Sequence, residues 1–252
     1  MGRRGPPPPA TNLLSMKKIL IIGASSGIGR ELARLYAGKD NTVGVTGRRN
    51  QLLDSLRLEY PNHIVTACFD ATASDAVAHL ESLVAKMGGL DLLLYNAGWG
   101  EPTEALDYEI DKGTVDINVN AFLEAMHFGW NYFSTQGHGH LAATSSVASN
   151  RGNRHSPAYS ASKAFQSTYL EGLRIKALHS RLPIYVTDIQ PGFVDTKMAK
   201  GPRFWVASPQ KAAQQIMYAL DHRRWRVYIT RRWWIIAKLF KYIPSWLYHR
   251  LG

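Results

Sequence analysis

Residues 17–37, KKILIIGASSGIGRELARLYA, decide the fold of this chain of 252 residues. The apolar run Ile19–Ile22 predicts a buried β-strand over Lys18–Ile22, and a glycine-rich loop follows it directly before a helical pattern. Gly23, Gly27 and Gly29 let the backbone turn sharply, and the N–H groups at a helix N-terminus stabilise a pyrophosphate. The order strand, loop, helix therefore predicts the first unit of a dinucleotide-binding fold. An ordinary strand–helix turn is the alternative interpretation.

The same alternation of short apolar runs and amphipathic stretches continues along the chain. Mostly apolar strands that alternate with helices are typical of a parallel sheet covered by helices on both faces. We therefore predict an α/β fold, a single Rossmann-type domain with a doubly wound, parallel, seven-stranded sheet. The predicted strands are Lys18–Ile22, Thr42–Thr46, Ile64–Phe69, Leu90–Tyr95, Gly139–Ser145, Ile184–Gln190 and Arg226–Thr230.

The formal net charge of +11 belongs to the two ends of the chain. The first 18 residues carry four basic residues and no acidic one, and residues 221–252 carry eight basic residues and one acidic one. The charges between them balance, whereas a nucleic-acid-binding domain carries basic residues on a face of the fold itself. We therefore expect no nucleic-acid partner.

Three further features of the sequence concern compartment and domain limits. Cys68 is the single cysteine, and no run of 18 uncharged apolar residues could span a membrane, so we expect a cytoplasmic protein. No cluster of His, Cys and carboxylate residues has the spacing of a metal site, so we expect no metal. Four consecutive prolines indicate a flexible leader over residues 1–15, before a domain over 16–230 and a C-terminal segment over 231–252.

Two arginines follow the second predicted strand. Arg48 and Arg49 lie at about the distance from the glycine loop at which this fold contacts the adenosine ribose. A guanidinium suits a 2′-phosphate through bidentate charge-assisted bonds, which favours NADP(H) over NAD(H). Two solvated loop arginines are the alternative. Asp70, after the third strand, either accepts a hydrogen bond from the adenine amino group or begins a turn.

A tyrosine and a lysine stand four residues apart in YSASK, residues 159–163. On a helix this spacing places Tyr159 and Lys163 on one face, where the ammonium lowers the tyrosine pKa from about 10 and suits the phenol to acid–base catalysis. The pair is common on protein surfaces when alone. Here Ser146 precedes it at the end of a strand, and Asn96-Ala97-Gly98 closes the strand before that.

Together these pieces resemble the short-chain dehydrogenase/reductase family, of the NADP(H)-preferring type, from about Lys17 to Met198. The matching motifs are GASSGIG at 23–29, Asp70, NAG at 96–98, Asn118 in DIN, Ser146 in SSVAS, YSASK at 159–163 and PGFVDT at 191–196. The resemblance implies that Tyr159 donates a proton to the substrate oxygen and that Ser146 hydrogen-bonds the same oxygen. It also implies that Lys163 holds the nicotinamide ribose, and that Asn118 supports a water relay.

The resemblance further implies which residues contact the cofactor. Arg48 matches the basic position of NADP-preferring members, whereas Ile22 and Ser26 depart from the usual threonine and second basic residue. The expected cofactor-binding residues are Gly23, Ser25, Ser26, Gly27, Ile28, Gly29, Arg48, Arg49, Asp70, Asn96, Ala97, Gly98, Tyr159, Lys163, Pro191, Gly192, Val194 and Thr196.

The expected activity is transfer of a hydride between NADP(H) and a small-molecule carbonyl or secondary alcohol. Trp99, Phe204 and Trp205 would form an apolar substrate wall, although a packed core or a lid hinge fits each of them equally. Related proteins form homodimers or homotetramers, and the sequence does not choose between the two. A non-catalytic NADP-binding sensor or scaffold is the alternative of another class. It would not need the set Asn118, Ser146, Tyr159 and Lys163.

The C-terminal segment interleaves aromatic and basic residues from Arg231 to Leu251, and Pro244 divides it. Such a segment can lie in a membrane interface, with aromatic rings at the headgroups and cations toward anionic lipid. It can equally pack on the domain as a substrate lid or form a dimer contact. Its ending also resembles reductases of decaprenylphosphoryl keto-sugars, which adds a membrane-peripheral reductase of a lipid-linked or hydrophobic keto substrate as an alternative.

Overall fold

The computed structural model describes residues 16–196 and 204–251, and within them seven strands form one parallel sheet. The strand order is β3-β2-β1-β4-β5-β6-β7, so the chain leaves β1 in one direction and returns on its other side. This confirms the predicted fold. The strands are β1 (Lys18–Ile22), β2 (Thr42–Gly47), β3 (Ile64–Cys68), β4 (Leu92–Tyr95), β5 (Gly139–Thr144), β6 (Ile184–Pro191) and β7 (Arg226–Ile229).

Helices cover both faces of the sheet, because alternate side chains of each strand point to opposite faces. Ile19 and Ile21 of β1 belong to a core with α1, α2 and α7, whereas Leu20 and Ile22 belong to a second core with α3, α5 and α6. The helices are α1 (Gly27–Ala37), α2 (Asn50–Glu59), α3 (Ala76–Met87), α4 (Tyr108–Val115), α5 (Ala121–Gln136), α6 (Pro157–Ser180), α7 (Pro209–Asp221), α8 (Trp233–Tyr242) and α9 (Ser245–Leu251).

The strand boundaries differ from the predicted ones by one or two residues. The strand expected to begin at Leu90 begins at Leu92, which pairs with Ile19, and the Asp91 carboxylate before it accepts the backbone N–H of Lys18 (2.8 Å). At the opposite edge, Phe69 and Ser145 fall just outside their strands and begin the loops that carry site residues.

The C-terminal segment folds as two short helices, α8 and α9, separated at Pro244 as predicted. Trp233 and Ala237 of α8 are buried with Val147, which lies in a short 3₁₀ turn (Val147–Asn150) that follows β5. Among the residues that the structure describes, no helix is long and apolar enough to span a membrane. Because Val147 follows the carboxyl end of β5, its contact with Trp233 and Ala237 places the segment on the carboxyl side of the sheet.

Candidate active site

A cleft of about 1720 Å³ lies at the carboxyl ends of β1, β2, β4, β5 and β6, where the strand order reverses. This is where open α/β sheets bind ligands. Its volume exceeds the roughly 300–1,000 Å³ typical of a pocket for one drug-sized ligand. The predicted residues that line it are Gly23, Ser25, Ser26, Gly27, Ile28, Arg48, Arg49, Asp70, Asn96, Ala97, Gly98, Trp99, Ser146, Tyr159, Lys163, Pro191, Gly192, Val194, Thr196 and Phe204.

The glycine loop after β1 packs so tightly that a side chain would not fit at Gly23 or Gly29. Gly23 has φ +90°, and a Cβ on it would lie 2.6 Å from the backbone N of Ala97. A Cβ on Gly29 would overlap the Gly23 carbonyl oxygen, which already accepts a hydrogen bond from Asn96 Nδ2 (2.9 Å). Gly29 therefore lies beneath the loop rather than in the cleft lining, and it supports the shape of the loop.

Helix α1 begins at Gly27 and points its N-terminus at the cleft. The side chain of its N-cap residue, Ser26, makes no capping hydrogen bond to the helix. The first N–H groups of an α-helix have no intrahelical acceptor, and the helix dipole favours negative charge there. The loop and the helix start together form a cradle suited to a pyrophosphate.

The two predicted arginines occupy different positions at the rim of the cleft. The Arg49 guanidinium donates hydrogen bonds to Ser25 Oγ (2.7 Å) and Ser26 Oγ (2.7 Å), which holds it against the glycine loop. The Arg48 side chain is 74% exposed, and its nearest carboxylate oxygen, on Asp70, lies 3.6 Å away. Arg49 is therefore the better positioned of the two for a phosphate near the loop, although the sequence had pointed first to Arg48.

Asp70 begins a turn, as one of the two interpretations of the sequence had it. Its Oδ1 accepts hydrogen bonds from the backbone N–H (3.0 Å) and the hydroxyl (2.9 Å) of Thr72. Partial burial opposes ionisation, but the bonds from Thr72 and the nearby Arg48 outweigh it and lower the pKa of Asp70. The carboxylate therefore stays charged at the edge of the cleft.

Tyr159 and Ser146 meet at the centre of the cleft. Tyr159 lies in the first turn of α6, Ser146 follows β5 closely, and both side chains line the cleft. Burial raises the pKa of the Tyr159 phenol, and the nearby Ser146 hydroxyl opposes this rise. Burial is the larger of the two causes, so the phenol holds its proton more firmly than a free tyrosine does.

Lys163 lies one helical turn beyond Tyr159 and is 3% exposed. Its Nζ donates to the carbonyl oxygen of Thr144 (2.9 Å) and to Oε1 of Gln166 (2.9 Å), and it lies 5.7 Å from the centre of the Tyr159 ring. Burial lowers the pKa of Lys163 to about 7, and the negative charge of Asp188 opposes this shift. The buried surroundings of Lys163 therefore set the ratio of its ammonium form to its neutral amine form.

Asn118 lies behind the cleft wall, in a π-helical turn (Asp116–Asn120), and is fully buried. Its side chain accepts from the Trp99 N–H (3.0 Å) and donates to the Trp99 carbonyl (2.7 Å) and to Ser162 Oγ (3.0 Å). Its own carbonyl accepts from Gln166 Nε2 (2.9 Å), so Gln166 connects Asn118 to Lys163. The sequence analysis missed Gln166, whose position three residues after Lys163 on the same helix face was the available signal.

A buried carboxylate on β6 supports the site from below. Asp188 is fully buried and accepts hydrogen bonds from Arg226 Nε (2.9 Å), Ser167 (2.8 Å), Gln190 (2.8 Å) and Ser145. A buried charge requires such partners. The bond to Ser145 fixes the residue next to Ser146. An aspartate in the middle of a predicted central strand was the signal for this group in the sequence.

Aromatic side chains wall the end of the cleft away from the glycine loop. Trp99 and Phe204 line it as predicted, whereas Trp205 lies outside the lining, with its ring edge-on to Trp233 at 6.1 Å. Phe193 joins the wall, packing edge-on against Trp233 at 5.4 Å. Residues 197–203, which come just before Phe204 in the sequence, lie outside the described residues, as does the leader at 1–15.

The C-terminal helices supply the rest of this wall, through Trp233, Phe240 and Tyr248. A Cβ on Gly192 would overlap the Trp233 ring, so the indole packs directly on the turn after β6. The sequence left open whether this segment packs on the domain. The structure shows that it does and that it closes one side of the cleft.

Arg151 fastens the C-terminal segment. Its guanidinium donates to the carbonyl oxygens of Phe240 (2.7 Å) and Ile243, and it lies 5.2 Å from the centre of the Tyr248 ring. The Tyr248 hydroxyl in turn donates to the Gly152 carbonyl (2.7 Å). Sequence reasoning missed Arg151 because nothing local marks a residue whose partners lie some 90 positions later.

Known proteins resemble this chain in both sequence and fold. The family model for short chain dehydrogenase matches residues 17–206. An uncharacterized oxidoreductase of Myxococcus xanthus is 38% identical over 197 residues, 76% of this chain and 77% of that protein. A short-chain dehydrogenase from Streptomyces avermitilis superposes with a TM-score of 0.78 at 25% identity, covering 90% of this chain and 92% of the other. A short chain dehydrogenase/reductase from Burkholderia phymatum in complex with NAD gives 0.80 at 18% identity, covering 89% and 92%, which concerns the fold alone.

Proposed function

Because the chain belongs to the short-chain dehydrogenase family, we propose that it is an NADP(H)-dependent oxidoreductase that interconverts a carbonyl and a secondary alcohol, with Tyr159 as the general acid–base. One observation carries the proposal. Tyr159 and Ser146 line the cleft between a cradle suited to a pyrophosphate and an apolar wall suited to a substrate. The cleft has room for both molecules.

The residues that line the cleft fit a dinucleotide that carries a 2′-phosphate. The glycine loop leaves no space for a Cβ on Gly23, α1 presents its N-terminus, and Arg48 and Arg49 add positive charge at the rim. When bound, the nicotinamide exchanges a hydride with the substrate carbon. Lys163 lines the cleft next to Gly98, where its ammonium group can donate to a ribose hydroxyl.

The preference for NADP(H) rests on the two arginines. Arg49 is already oriented by Ser25 and Ser26, and a guanidinium in that position can form two charge-assisted hydrogen bonds with a 2′-phosphate. Arg48 can approach the same phosphate from the solvent side, since most of its side chain is exposed. The Burkholderia relative was solved with NAD, so the arginines of this chain are the feature that argues for the phosphorylated cofactor.

Tyr159 supplies the proton during reduction. Burial raises the pKa of its phenol, so the hydroxyl keeps its proton at neutral pH until negative charge develops on the substrate oxygen. Ser146 donates a hydrogen bond to the same oxygen and so stabilises that charge. The Asp188 carboxylate opposes the fall in the pKa of Lys163, which keeps the ammonium form populated next to the phenol.

The substrate we propose is a bulky, apolar carbonyl compound. Trp99, Phe193, Phe204, Trp233 and Phe240 present aromatic surface along one end of the cleft. Burial of such surface against an apolar substrate contributes roughly 25 cal/mol per Å². A small polar ketone would leave much of this wall in contact with water.

The test is turnover of NADPH with a panel of aromatic ketones, cyclic ketones and long-chain aldehydes, followed by absorbance of the reduced nicotinamide. Tyr159→Phe serves as the control, because it keeps the ring and removes only the hydroxyl. We expect turnover to fall at least ~10²-fold in the variant, as for loss of a general acid, with nearly unchanged NADPH affinity. Equal turnover in the two proteins would contradict the role of Tyr159. Tight NADPH binding without turnover of any carbonyl or alcohol would indicate a dinucleotide sensor instead.

A further inference from the structure

The side of α8 and α9 that faces away from the domain is also apolar. Helix α8 buries Trp233 and Ala237, yet the opposite side of the two helices exposes five large hydrophobic residues. A surface helix ordinarily carries polar residues on that side. We call these residues the outer face: Trp234 (52% exposed), Ile235 (56%), Leu239 (53%), Tyr242 (69%) and Trp246 (64%).

The segment that carries the outer face is basic and contains no acidic residue between positions 231 and 250. The same stretch contains five Lys or Arg residues. Two of these cations lie over exposed rings of the outer face, with Lys238 Nζ 5.8 Å from the centre of Tyr242 and the Arg250 guanidinium 5.9 Å from the centre of Trp246. Aromatic rings next to cations, with aliphatic residues between them, are typical of helices that lie in a membrane interface.

The apolar surface extends beyond the two helices. Trp205, which is 40% exposed, packs edge-on against Trp233 of α8, and the Arg232 guanidinium is 5.7 Å from the centre of the Trp205 ring. Single exposed hydrophobic residues are normal on protein surfaces, whereas a contiguous apolar patch rimmed by charge marks an interaction site.

We propose that the outer face docks on the surface of a bilayer that contains anionic phospholipid. Anionic headgroups complement the five cations, and the exposed Trp and Tyr side chains suit the headgroup level. A second copy of this chain fits the same face poorly. A twofold contact would bring the same basic patch of both copies together, and like charges in an interface are costly.

Docking in this way would bring the substrate end of the cleft to the membrane. Phe240 and Tyr248 line the cleft from the same two helices that carry the outer face. An apolar substrate dissolved in the lipid would then reach the aromatic wall without crossing water. This consequence rests on the proposed function, whereas the docking itself does not.

The experiment is co-sedimentation of the full chain with vesicles, which requires no catalytic turnover. Vesicles of phosphatidylcholine and phosphatidylglycerol in equal amounts are compared with vesicles of phosphatidylcholine alone. We expect binding to the anionic vesicles that weakens as salt is added, since salt screens surface charge over about 10 Å at 0.1 M. Absence of binding to the anionic vesicles, or equal binding to both kinds, would overturn the proposal.

Two pairs of variants locate the contact. Lys238→Glu with Lys241→Glu should weaken anionic binding at least ~10-fold, because each basic residue near such a surface contributes about 1 kcal/mol. Lys39→Glu with Lys86→Glu changes the net charge equally at exposed sites on other elements and should leave binding unchanged. Leu239→Ser with Trp246→Ser should weaken vesicle binding about as much as the charge reversal does. The control is Leu58→Ser on α2, which changes a residue that is 74% exposed and should leave binding unchanged. An equal loss in the control variants would contradict the assignment of the outer face.

Light scattering supplies the competing outcome. If the full chain forms a dimer that Leu239→Ser with Trp246→Ser dissociates, and if vesicles do not bind the full chain, a second copy covers the outer face and the membrane proposal is wrong. NADPH affinity of each variant, measured alongside, confirms that the domain is folded. A failure of the proposed function would appear in turnover and would leave the sedimentation result intact.

Discussion

The two ends of the cleft recognise their ligands by different means. At the cofactor end the contacts are backbone groups and glycines of loops that follow β1, β2 and β4 directly, with Arg49 and Asn96 to fix their shape. At the substrate end they are aromatic side chains, brought together by a segment that follows the last strand. The first end is a matter of local backbone geometry, whereas the second depends on packing between distant parts of the chain.

The difference indicates which end can vary. A pyrophosphate cradle requires particular φ angles and leaves no room for Cβ atoms at Gly23 and Gly29, so few sequences satisfy it. An aromatic wall tolerates exchange of one large apolar side chain for another at modest cost. We expect cofactor selection to be sharp and substrate selection to be broad.

Loss of Arg49 should have the largest effect, and it should lower the affinity for NADPH without lowering the affinity for NADH. Arg49→Ala removes charge-assisted hydrogen bonds worth about 1.5–3 kcal/mol, so NADPH affinity should fall roughly 10–100-fold. NADH affinity should stay nearly unchanged, because NADH has no 2′-phosphate. The measurement is titration of each variant with both cofactors.

Arg48→Ala and Arg57→Ala complete that series. Arg48→Ala should have a smaller effect than Arg49→Ala because its guanidinium is not held against the loop, and Arg57→Ala, an exposed arginine of α2, should have none. A larger effect of Arg48 than of Arg49 would show that the solvent-exposed arginine reads the phosphate.

A fall in pH should destabilise both ends of the cleft together, because both are built on one sheet. His140 is buried at the start of β5, and its Nε2 donates to Thr187 Oγ1 (2.8 Å), whose hydroxyl donates to the Arg224 carbonyl (2.6 Å). Burial lowers the pKa of His140 to about 3, with smaller contributions from Arg223 and Lys17. The unfolded chain binds this proton below pH about 6.5 and the folded chain does not, so stability is present above that pH and is lost as the pH falls.

For His140 we expect a loss of roughly 2 kcal/mol in the free energy of unfolding between pH 7.5 and pH 5. Urea titrations at the two pH values, followed by tryptophan fluorescence and by NADPH binding, measure it. His140→Gln should reduce the pH dependence by that amount, whereas His79→Gln, an exposed histidine, should not. An unchanged pH dependence in His140→Gln would contradict the assignment.

Release of the C-terminal segment should affect the substrate end alone. Arg151→Ala removes the hydrogen bonds to the carbonyls of Phe240 and Ile243, so the aromatic wall loosens. We expect KM for an apolar carbonyl substrate to rise about 5–10-fold, in line with a loss of about 1–1.5 kcal/mol, while NADPH affinity is kept. A matched fall in NADPH affinity would show that the two ends are coupled, and the distinction between them would fail.

Most of the fold and the cofactor end could be predicted from the sequence. Ile19–Ile22 is apolar on both faces, as a central parallel strand must be, and the glycine pattern that follows allows few conformations. Tyr159 and Lys163 were predictable because the spacing within a helix alone places them together. In each case the information lies within a few consecutive residues.

The substrate end could not be predicted in the same way. Gly192 contacts Trp233, and Arg151 contacts Phe240, only through tertiary packing, and the local sequence of each residue does not indicate its partner. The environment of Tyr159 was also beyond the sequence, because the pKa of a phenol depends on how deeply the finished fold buries it. Trp205 shows the same limit, since its aromatic character fits both a cleft wall and the outer surface where it lies.

The most direct test is titration of the purified protein with NADPH and NADH, followed by energy transfer from tryptophan to the nicotinamide. The account predicts saturable binding of NADPH and at least ~10-fold weaker binding of NADH, because only NADPH carries the phosphate that Arg48 and Arg49 can bind. Stronger binding of NADH would contradict the role of the arginines. Absence of binding by either cofactor would contradict the assignment of the cleft as a dinucleotide site.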